Sequence, residues 1–513
     1  MKGCEQRRKI EGNRGGGQRW RRACGWLVAS VFAAHLTFAA TVPAATKHPG
    51  AAPAAAAANP FRIPRAIIVG SQRERRREMR VLGIRSLRPG KNAVHPHQPN
   101  FANYTEAKAN PYPKLPPLMR LNDGVRVTTL AQWRVRRRQI RALFAEYVYG
   151  KKPRDVPKVT WKVVSVRRQK VYGVPAVVEH VVGTVDNAMD PRITVRIPVN
   201  VVTPAAAAGR RVPVIIGGGT LHPFFANFHP VRKGPILYFP GSSMCIEVGP
   251  PTEPSGELLL KRGWGFASIN LRAVQPDNGA DFDIGIIGLT DKGRPRKMDA
   301  WGVLRAWAWA IDRTVSFLQK DPAANPHEIG VMGHSRNGKA ALLALAYDRR
   351  IAVGYISSSG KGGAVLYRRN YGENIGSLTS WDEFQWFDGN FLRYASPGYT
   401  ANDLPVDSDE LIALVAPRAI FVGSGSLIMH PACAIPGDGW EDPRGSFMAL
   451  AAASPAWRLY GERGLGRHTP FPPVDTQVGS RYAAFRQQPY GHTPAPNWPY
   501  FIQFAARVFT ARK

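Results

Sequence analysis

The segment Ile329–Lys339 constrains the fold more than any other part of the chain. A short apolar run, Ile329-Gly330-Val331-Met332, leads into Gly333-His334-Ser335-Arg336-Asn337-Gly338, and the small and apolar residues Ala340 to Ala344 continue beyond it. A strand that passes through a glycine-framed serine straight into a helix predicts a nucleophile elbow, although Gly-x-Ser-x-x-Gly is one residue longer than the usual Gly-x-Ser-x-Gly. The glycines are needed because the turn must carry Ser335 to a positive φ without collisions from neighbouring Cβ atoms. Its Oγ then projects above a sheet, at a helix N-terminus whose amides can hold a developing oxyanion.

The surrounding pattern agrees with that reading. Residues 160–166, 180–185 and 193–203 read as antiparallel-type strands, and 211–216, 265–270, 329–332 and 418–422 as short buried strands rich in Val and Ile. Helical spacing runs over 297–319, 337–347 and 498–509. Strands alternating with helices over some 400 residues predict one α/β domain, a three-layer sandwich around a mainly parallel sheet. In such hydrolases the acid follows the nucleophile and the histidine comes last. After Ser335 the histidines are His430, His468 and His492. His492, just before the closing helix, is the expected base. His430 follows the 418–422 strand too closely, and His468 sits in a Gly/Pro-rich loop. The acid should lie in the loop after that strand, which offers Asp438 between two glycines and Asp442 before Pro443. Asp438 is favoured, because a glycine-flanked carboxylate can reach a histidine and Asp442 reads as a turn residue.

Charge adds a partner question. The chain of 513 residues has a formal net charge of +34, of which +15 falls within residues 1–100. Seven arginines and lysines between Arg7 and Arg22 precede an apolar run from Ala23 to Ala40 and the small-residue stretch Thr41–Ala45. Residues 1–45 therefore read as a secretory signal peptide, and a secreted or periplasmic protein without stable membrane insertion is expected. Residues 46–102, rich in Ala, Pro and then Arg, read as a disordered linker, with the catalytic domain over 103–513. The Arg73–Arg80 stretch could contact nucleic acid, but an exported chain without a nucleic-acid module argues against such a partner. Of four cysteines, Cys4 and Cys24 would leave with the signal peptide, and whether Cys245 and Cys433 pair is open. Neither a metal nor a cofactor is expected, and the protein is expected to be a monomer.

Several further strings bear on identity. They are Asn103-Tyr104-Thr105-Glu106-Ala107-Lys108, Pro113–Pro117, Leu143-Phe144 with Tyr149-Gly150, the elbow itself, and Ser359-Gly360-Lys361-Gly362-Gly363-Ala364. With them stand Arg368-Arg369-Asn370-Tyr371-Gly372-Glu373, Trp386-Phe387, Ala416-Pro417-Arg418, Trp440-Glu441-Asp442-Pro443-Arg444-Gly445 and Gly491-His492. Over about residues 103–509 this resembles the glucuronoyl esterases, carbohydrate esterase family 15, and particularly their bacterial members.

The resemblance implies an α/β-hydrolase that cleaves esters joining (4-O-methyl-)glucuronic acid of glucuronoxylan to lignin alcohols through an acyl-enzyme. It makes Ser335 the nucleophile and His492 the base, and has Arg336 stabilise the oxyanion with a full charge. Lys339 would face the sugar hydroxyls, and Glu383 and Trp440 would line the sugar pocket. One position departs from the family. Fungal-type members carry a glutamate that orients the histidine where this chain has Ser358, so the acid must come from the later loop. Alternative readings are an acetyl or feruloyl xylan esterase, or a polysaccharide-binding homologue with an impaired triad. A basic surface suits an acidic wall polymer in each case.

Overall fold

The computed structural model describes residues 63–93, 95–217, 231–233, 236–238, 245–247, 249, 252–427, 437–466 and 468–510. The expected signal peptide, His430 and Cys433 lie outside them.

Among the described residues ten strands form the main sheet: β1 (Val159–Val171), β2 (Val174–Val185), β3 (Arg196–Pro204), β4 (Val212–Ile216), β5 (Gly265–Ile269), β6 (Ala324–His334), β7 (Val353–Ser357), β8 (Ala419–Ser424), β9 (Gln477–Gly479) and β10 (Ala483–Gln487). Their spatial order is β1-β2-β3-β5-β4-β6-β7-β8-β10-β9. The six strands from β5 to β10 in that order pair in parallel. The opening meander β1–β2–β3 joins antiparallel at β5, and β9 closes the other edge antiparallel. The short segments Val231–Lys233, Ile236–Tyr238 and Cys245–Glu247 make a separate antiparallel sheet.

Side-chain alternation in the central strands shows why both faces are covered. In β7, Val353 and Tyr355 point to one face and Ile356 to the other; in β8, Ala419 and Phe421 oppose Ile420 and Val422. A strand apolar on both faces must be sandwiched. Helices α3 (Val303–Leu318), α4 (Arg336–Tyr347) and α5 (Pro443–Ala453) cover the Ile356 face. Helix α6 (Trp498–Thr510) lays Phe501, Phe504, Ala505 and Val508 against the Tyr355 face. The chain thus has the mainly parallel α/β sandwich expected from its strand and helix pattern, in the α/β-hydrolase form that the resemblance implies. Among the described residues no helix is long and apolar enough to cross a membrane.

Two expectations need correction. The antiparallel hairpin is longer than 160–166 and 180–185, because Tyr172 and Gly173 (φ 52° and 78°) form a two-residue turn that lets β1 and β2 pair up to it. The described part of 46–102 is not a disordered linker either. Helix α1 (Arg65–Val81) docks on the domain, with fully buried Glu78 accepting from Arg296 Nε at 3.0 Å and Nη2 at 2.7 Å. Arg75 Nε donates to the Thr379 carbonyl at 2.6 Å and Arg77 Nη2 to the Arg296 carbonyl at 2.9 Å. Arginines bonded to carbonyls share the buried face of α1 with half-buried Ile67, Ile68 and Met79, so charged residues stand where a continuous apolar stripe is expected. Helix α2 (Leu130–Tyr147), capped by Thr129 and Gln132 in a capping box, completes the N-terminal layer.

Candidate active site

The elbow sits where β6 hands over to α4. Ser335 adopts φ 56°, ψ −135°, and its amide donates to the Ser357 carbonyl at the end of β7, 3.0 Å away. A Cβ on Gly333 would stand 2.1 Å from the Asn337 carbonyl oxygen, so only glycine allows so tight a turn. Gly338 N–H and Lys339 N–H then bond the Ser335 carbonyl and start the helix. Ser335 itself is only 9% exposed.

The histidine arrives from the loop before α6. The His492 ring lies 4.3 Å, centroid to centroid, from that of His334, the residue preceding the serine. His334 is buried with its Nδ1 3.1 Å from Ser357 Oγ, and burial, reinforced by His492, holds its imidazole well below the ordinary range. It is therefore neutral packing beneath the elbow.

His492 Nδ1 lies 2.8 Å from Asp438 Oδ1. The other oxygen, Oδ2, accepts from the Gly425 amide at 2.8 Å and from Ser358 Oγ at 2.6 Å. Asp438 is 1% exposed and its own amide donates to the Ser426 carbonyl, tying the acid loop to the end of β8. Ser358 thus braces Asp438 with a hydroxyl, from the position to which the resemblance assigns a glutamate. Burial works against a charged His492, but the Asp438 hydrogen bond and charge outweigh it and raise its pKa. Asp442 serves the scaffold instead. At φ 43° it caps α5 through the Gly445 amide and takes a two-pronged bond from Arg369 at 2.8 and 3.0 Å.

Arg336 follows the serine. Its Nη1 donates to Asp277 Oδ2 at 2.8 Å, and the guanidinium carbon stands 4.7 Å above the Trp386 ring centroid. Asp277 Oδ1 accepts from Trp386 Nε1 at 2.7 Å, and Oδ2 also meets Arg272 Nη2 at 3.3 Å. Burial alone would favour a neutral Asp277, yet the two guanidinium groups, Arg336 foremost, lower its pKa. A charged guanidinium is fixed beside Ser335 by a carboxylate and an indole.

Lys339 lies one turn into α4 and is 2% exposed. Its Nζ donates to the Lys361 carbonyl at 2.6 Å and to Glu373 at 3.1 and 3.3 Å. The Lys361 amide bonds the same Glu373 at 2.8 Å. Glu373, which carries no role in the sequence reading, is therefore the carboxylate paired with Lys339. Glu383 is half-buried nearby; burial, then repulsion from Glu373 and Asp382, pushes its pKa well up against the pull of Lys339 and Arg336. Trp440 is half-buried, and its carbonyl accepts from the Glu373 amide at 2.9 Å.

All seven expected residues, Ser335, His492, Asp438, Arg336, Lys339, Glu383 and Trp440, belong to one connected neighbourhood. Asp277, Glu373 and Glu441 belong to it as well. Glu373 and Glu441 lie in strings that carry the family resemblance, but nothing in those strings marks a role for them. Asp277 carries no local signal; only the need of a buried arginine for a counter-charge could have pointed to it. Among the described residues no group of three His, Cys, Asp or Glu side chains is placed to hold a metal ion.

Comparison with known proteins places this arrangement. A family model described as glucuronyl esterase, fungi, matches residues 296–458. A CE15 glucuronoyl esterase from Teredinibacter turnerae T7901 is 34% identical, with 86% of this chain and 100% of that one covered and a TM-score of 0.75. Carbohydrate esterase MZ0003, from an unknown prokaryotic organism, is 28% identical over 440 residues, 80% of this chain and 93% of that protein. A 4-O-methyl-glucuronoyl methylesterase of Hypocrea jecorina is 32% identical over 203 residues, 36% of this chain and 40% of that protein.

Proposed function

The chain belongs to the glucuronoyl esterases of carbohydrate esterase family 15 and is a carboxylic ester hydrolase, and from that premise we propose that it cleaves esters between (4-O-methyl-)glucuronic acid of glucuronoxylan and lignin alcohols by an acyl-serine route. Ser335 Oγ attacks the ester carbonyl while His492 takes its proton. Arg336 stands beside the carbonyl oxygen as it gains negative charge. The carbonyl carbon–oxygen bond to the alcohol then breaks, and the proton passes from His492 to the leaving oxygen. Water, deprotonated by the same imidazole, attacks the acyl-serine and releases the uronate and Ser335. Asp438 fixes the tautomer that leaves the other ring nitrogen as base. Lys339 and Glu373 hold the sugar ring, with Glu383 and Trp440 beside them.

The observation that supports this reading most is the 2.8 Å contact between His492 and Asp438 at a serine held in the left-handed region. A carboxylate within hydrogen-bond reach of His492, brought by the loop after β8, also disfavours the impaired-triad reading, which rests on Ser358. Export through residues 1–45 would bring the enzyme to its polymer as a monomer whose basic surface is drawn to an acidic xylan. Release of benzyl alcohol from benzyl glucuronate, compared with acetylated and feruloylated xylan oligomers, tests the substrate. Preference for the glucuronate ester, abolished by Ser335→Ala, is expected. Faster turnover of the acetyl or feruloyl ester would overturn the assignment.

A further inference from the structure

Glu441 closes the single turn Gly439–Glu441 that follows Asp438, its amide bonded to the Asp438 carbonyl at 3.0 Å. Its side chain points into the protein: the residue is 5% exposed, and Oε2 is buried without a hydrogen-bond partner among the described residues. An unmatched buried carboxyl oxygen is costly, and it stands here inside the reaction neighbourhood. A Cβ on Gly360 would lie 2.1 Å from Glu441 Oε2, 2.4 Å from Glu373 Oε2 and 3.1 Å from Lys339 Nζ. Three ionisable side chains therefore converge on one backbone position that carries no side chain and sits at φ 58°.

The charge count there does not close if both acids ionise. Lys339 brings one ammonium, already committed to Glu373 and to the Lys361 carbonyl, and the buried Lys361 ammonium, which also feels Glu373, is held by the Tyr371 carbonyl at 2.9 Å and by Asp442 at 4.0 Å. Among the described residues the other ionisable groups that act on Glu441 are Asp438 and Tyr104, which add no cation, and His492, which must be neutral to act as base. Burial first, and then the Glu373 charge, push Glu441 up to about 8 against the pull of His492 and Lys339.

We propose that Glu441 is a positioning residue whose neutral form keeps Lys339 paired with Glu373 and leaves His492 governed by Asp438 alone, so that ionisation of Glu441 sets the alkaline limit of ester hydrolysis. This rests on the reading of His492 as base and Lys339 as sugar ligand. Once Glu441 loses its proton, two buried carboxylates compete for one ammonium, which draws Lys339 off the sugar side. The same new charge favours the imidazolium of His492, so less of the base is available.

The test compares wild type with Glu441→Gln, which mimics the neutral acid, and Glu441→Ala, from about pH 5 to about pH 10. Wild-type kcat/KM on benzyl glucuronate should fall above about pH 8, while Glu441→Gln keeps the acid limb and loses the alkaline one. At pH 7 the alanine variant should lose about tenfold and the glutamine variant recover to within about threefold of wild type. An alkaline limb that persists in Glu441→Gln, or glutamine no better than alanine at pH 7, would overturn the proposal. A readout independent of turnover is the infrared stretch of a protonated carboxyl in the wild type minus Glu441→Gln difference spectrum. It should be present at pH 7 and fade above about pH 8. Its absence at pH 7 overturns the proposal whatever the activity. A wild type inert toward glucuronate esters at every pH would instead overturn the ester-hydrolase reading.

Discussion

Replacing Asp438 by Asn isolates the step on which the site depends. The wild-type carboxylate accepts three donors: His492 on Oδ1, and the Gly425 amide and Ser358 hydroxyl on Oδ2. An asparagine has one acceptor oxygen. If its NH2 faced Gly425, two buried N–H groups would oppose each other, at a cost of about 1–3 kcal/mol. The oxygen therefore stays toward Gly425 and Ser358, and the NH2 meets His492 Nδ1. That arrangement is satisfied only when Nδ1 carries no proton, so the proton moves to the nitrogen that must act as base. Restoring the working tautomer costs the opposed contact, and the imidazolium formed in the transition state loses its counter-charge. Together these come to about 3–5 kcal/mol, or about 10²–10⁴ in kcat at 1.36 kcal/mol per tenfold. KM for benzyl glucuronate should change by less than about threefold, since Asp438 faces the histidine and not the sugar. The pH profile carries a second signature. Asp438 holds the His492 pKa above its ordinary 6.5 against burial, so the wild-type acid limb lies above that value. Without the carboxylate the limb should move to lower pH. Stopped-assay kcat and KM over pH decide it. A variant with kcat within about threefold of wild type, or an acid limb that does not move, would rule out this role for Asp438.

Other substitutions test the remaining parts. Arg336→Gln should lower kcat about 10²–10³-fold with a smaller change in KM, because the guanidinium acts on charge that develops in the transition state; a KM effect alone would make Arg336 a binding residue. Lys339→Met, which keeps the packed stem but removes the ammonium, should raise KM about tenfold or more and lower kcat less. Equal loss in kcat without a KM change would contradict its place at the sugar. Glu78→Ala should destabilise the fold by about 3–5 kcal/mol, since it strands the fully buried Arg296, and thermal unfolding should show a midpoint lower by several degrees. An unchanged midpoint would mean that α1 does not contribute to the domain.

How far these features can be read in the chain follows from the range of the forces involved. The elbow is legible because its constraints are local: Gly333, Ser335 and Gly338 lie within six residues, and each answers to the same tight turn. His492 and Asp438 are legible through chain order, which the parallel strand sequence of this fold imposes. The link between Arg336 and Asp277 spans 59 positions and joins residue types common on any surface, so nothing in the sequence marks it. Helix α1 escapes because a continuous apolar stripe is the signal that predicts helices, and its buried face is made largely of arginines bonded to carbonyls and of Glu78 bonded to Arg296. The end of β1 escapes for a related reason: residues 167–170 are exposed on both sides of the ribbon and show no alternation. In the sequence Ser358 reads as a loss at the acid position, whereas its hydroxyl braces the acid that replaces it, a relation visible only once β7 and the Asp438 loop are side by side.

Every step of the proposed chemistry passes through a glucuronoyl ester on Ser335. Acid-quenched wild type and Ser335→Ala, each mixed with benzyl glucuronate and digested, can be compared by mass spectrometry. The acyl-serine route predicts one uronoyl adduct, on the wild-type peptide that contains Ser335, appearing within the first turnover and absent from the variant. Turnover at the wild-type rate by Ser335→Ala, or a uronoyl adduct on any other residue, would contradict it.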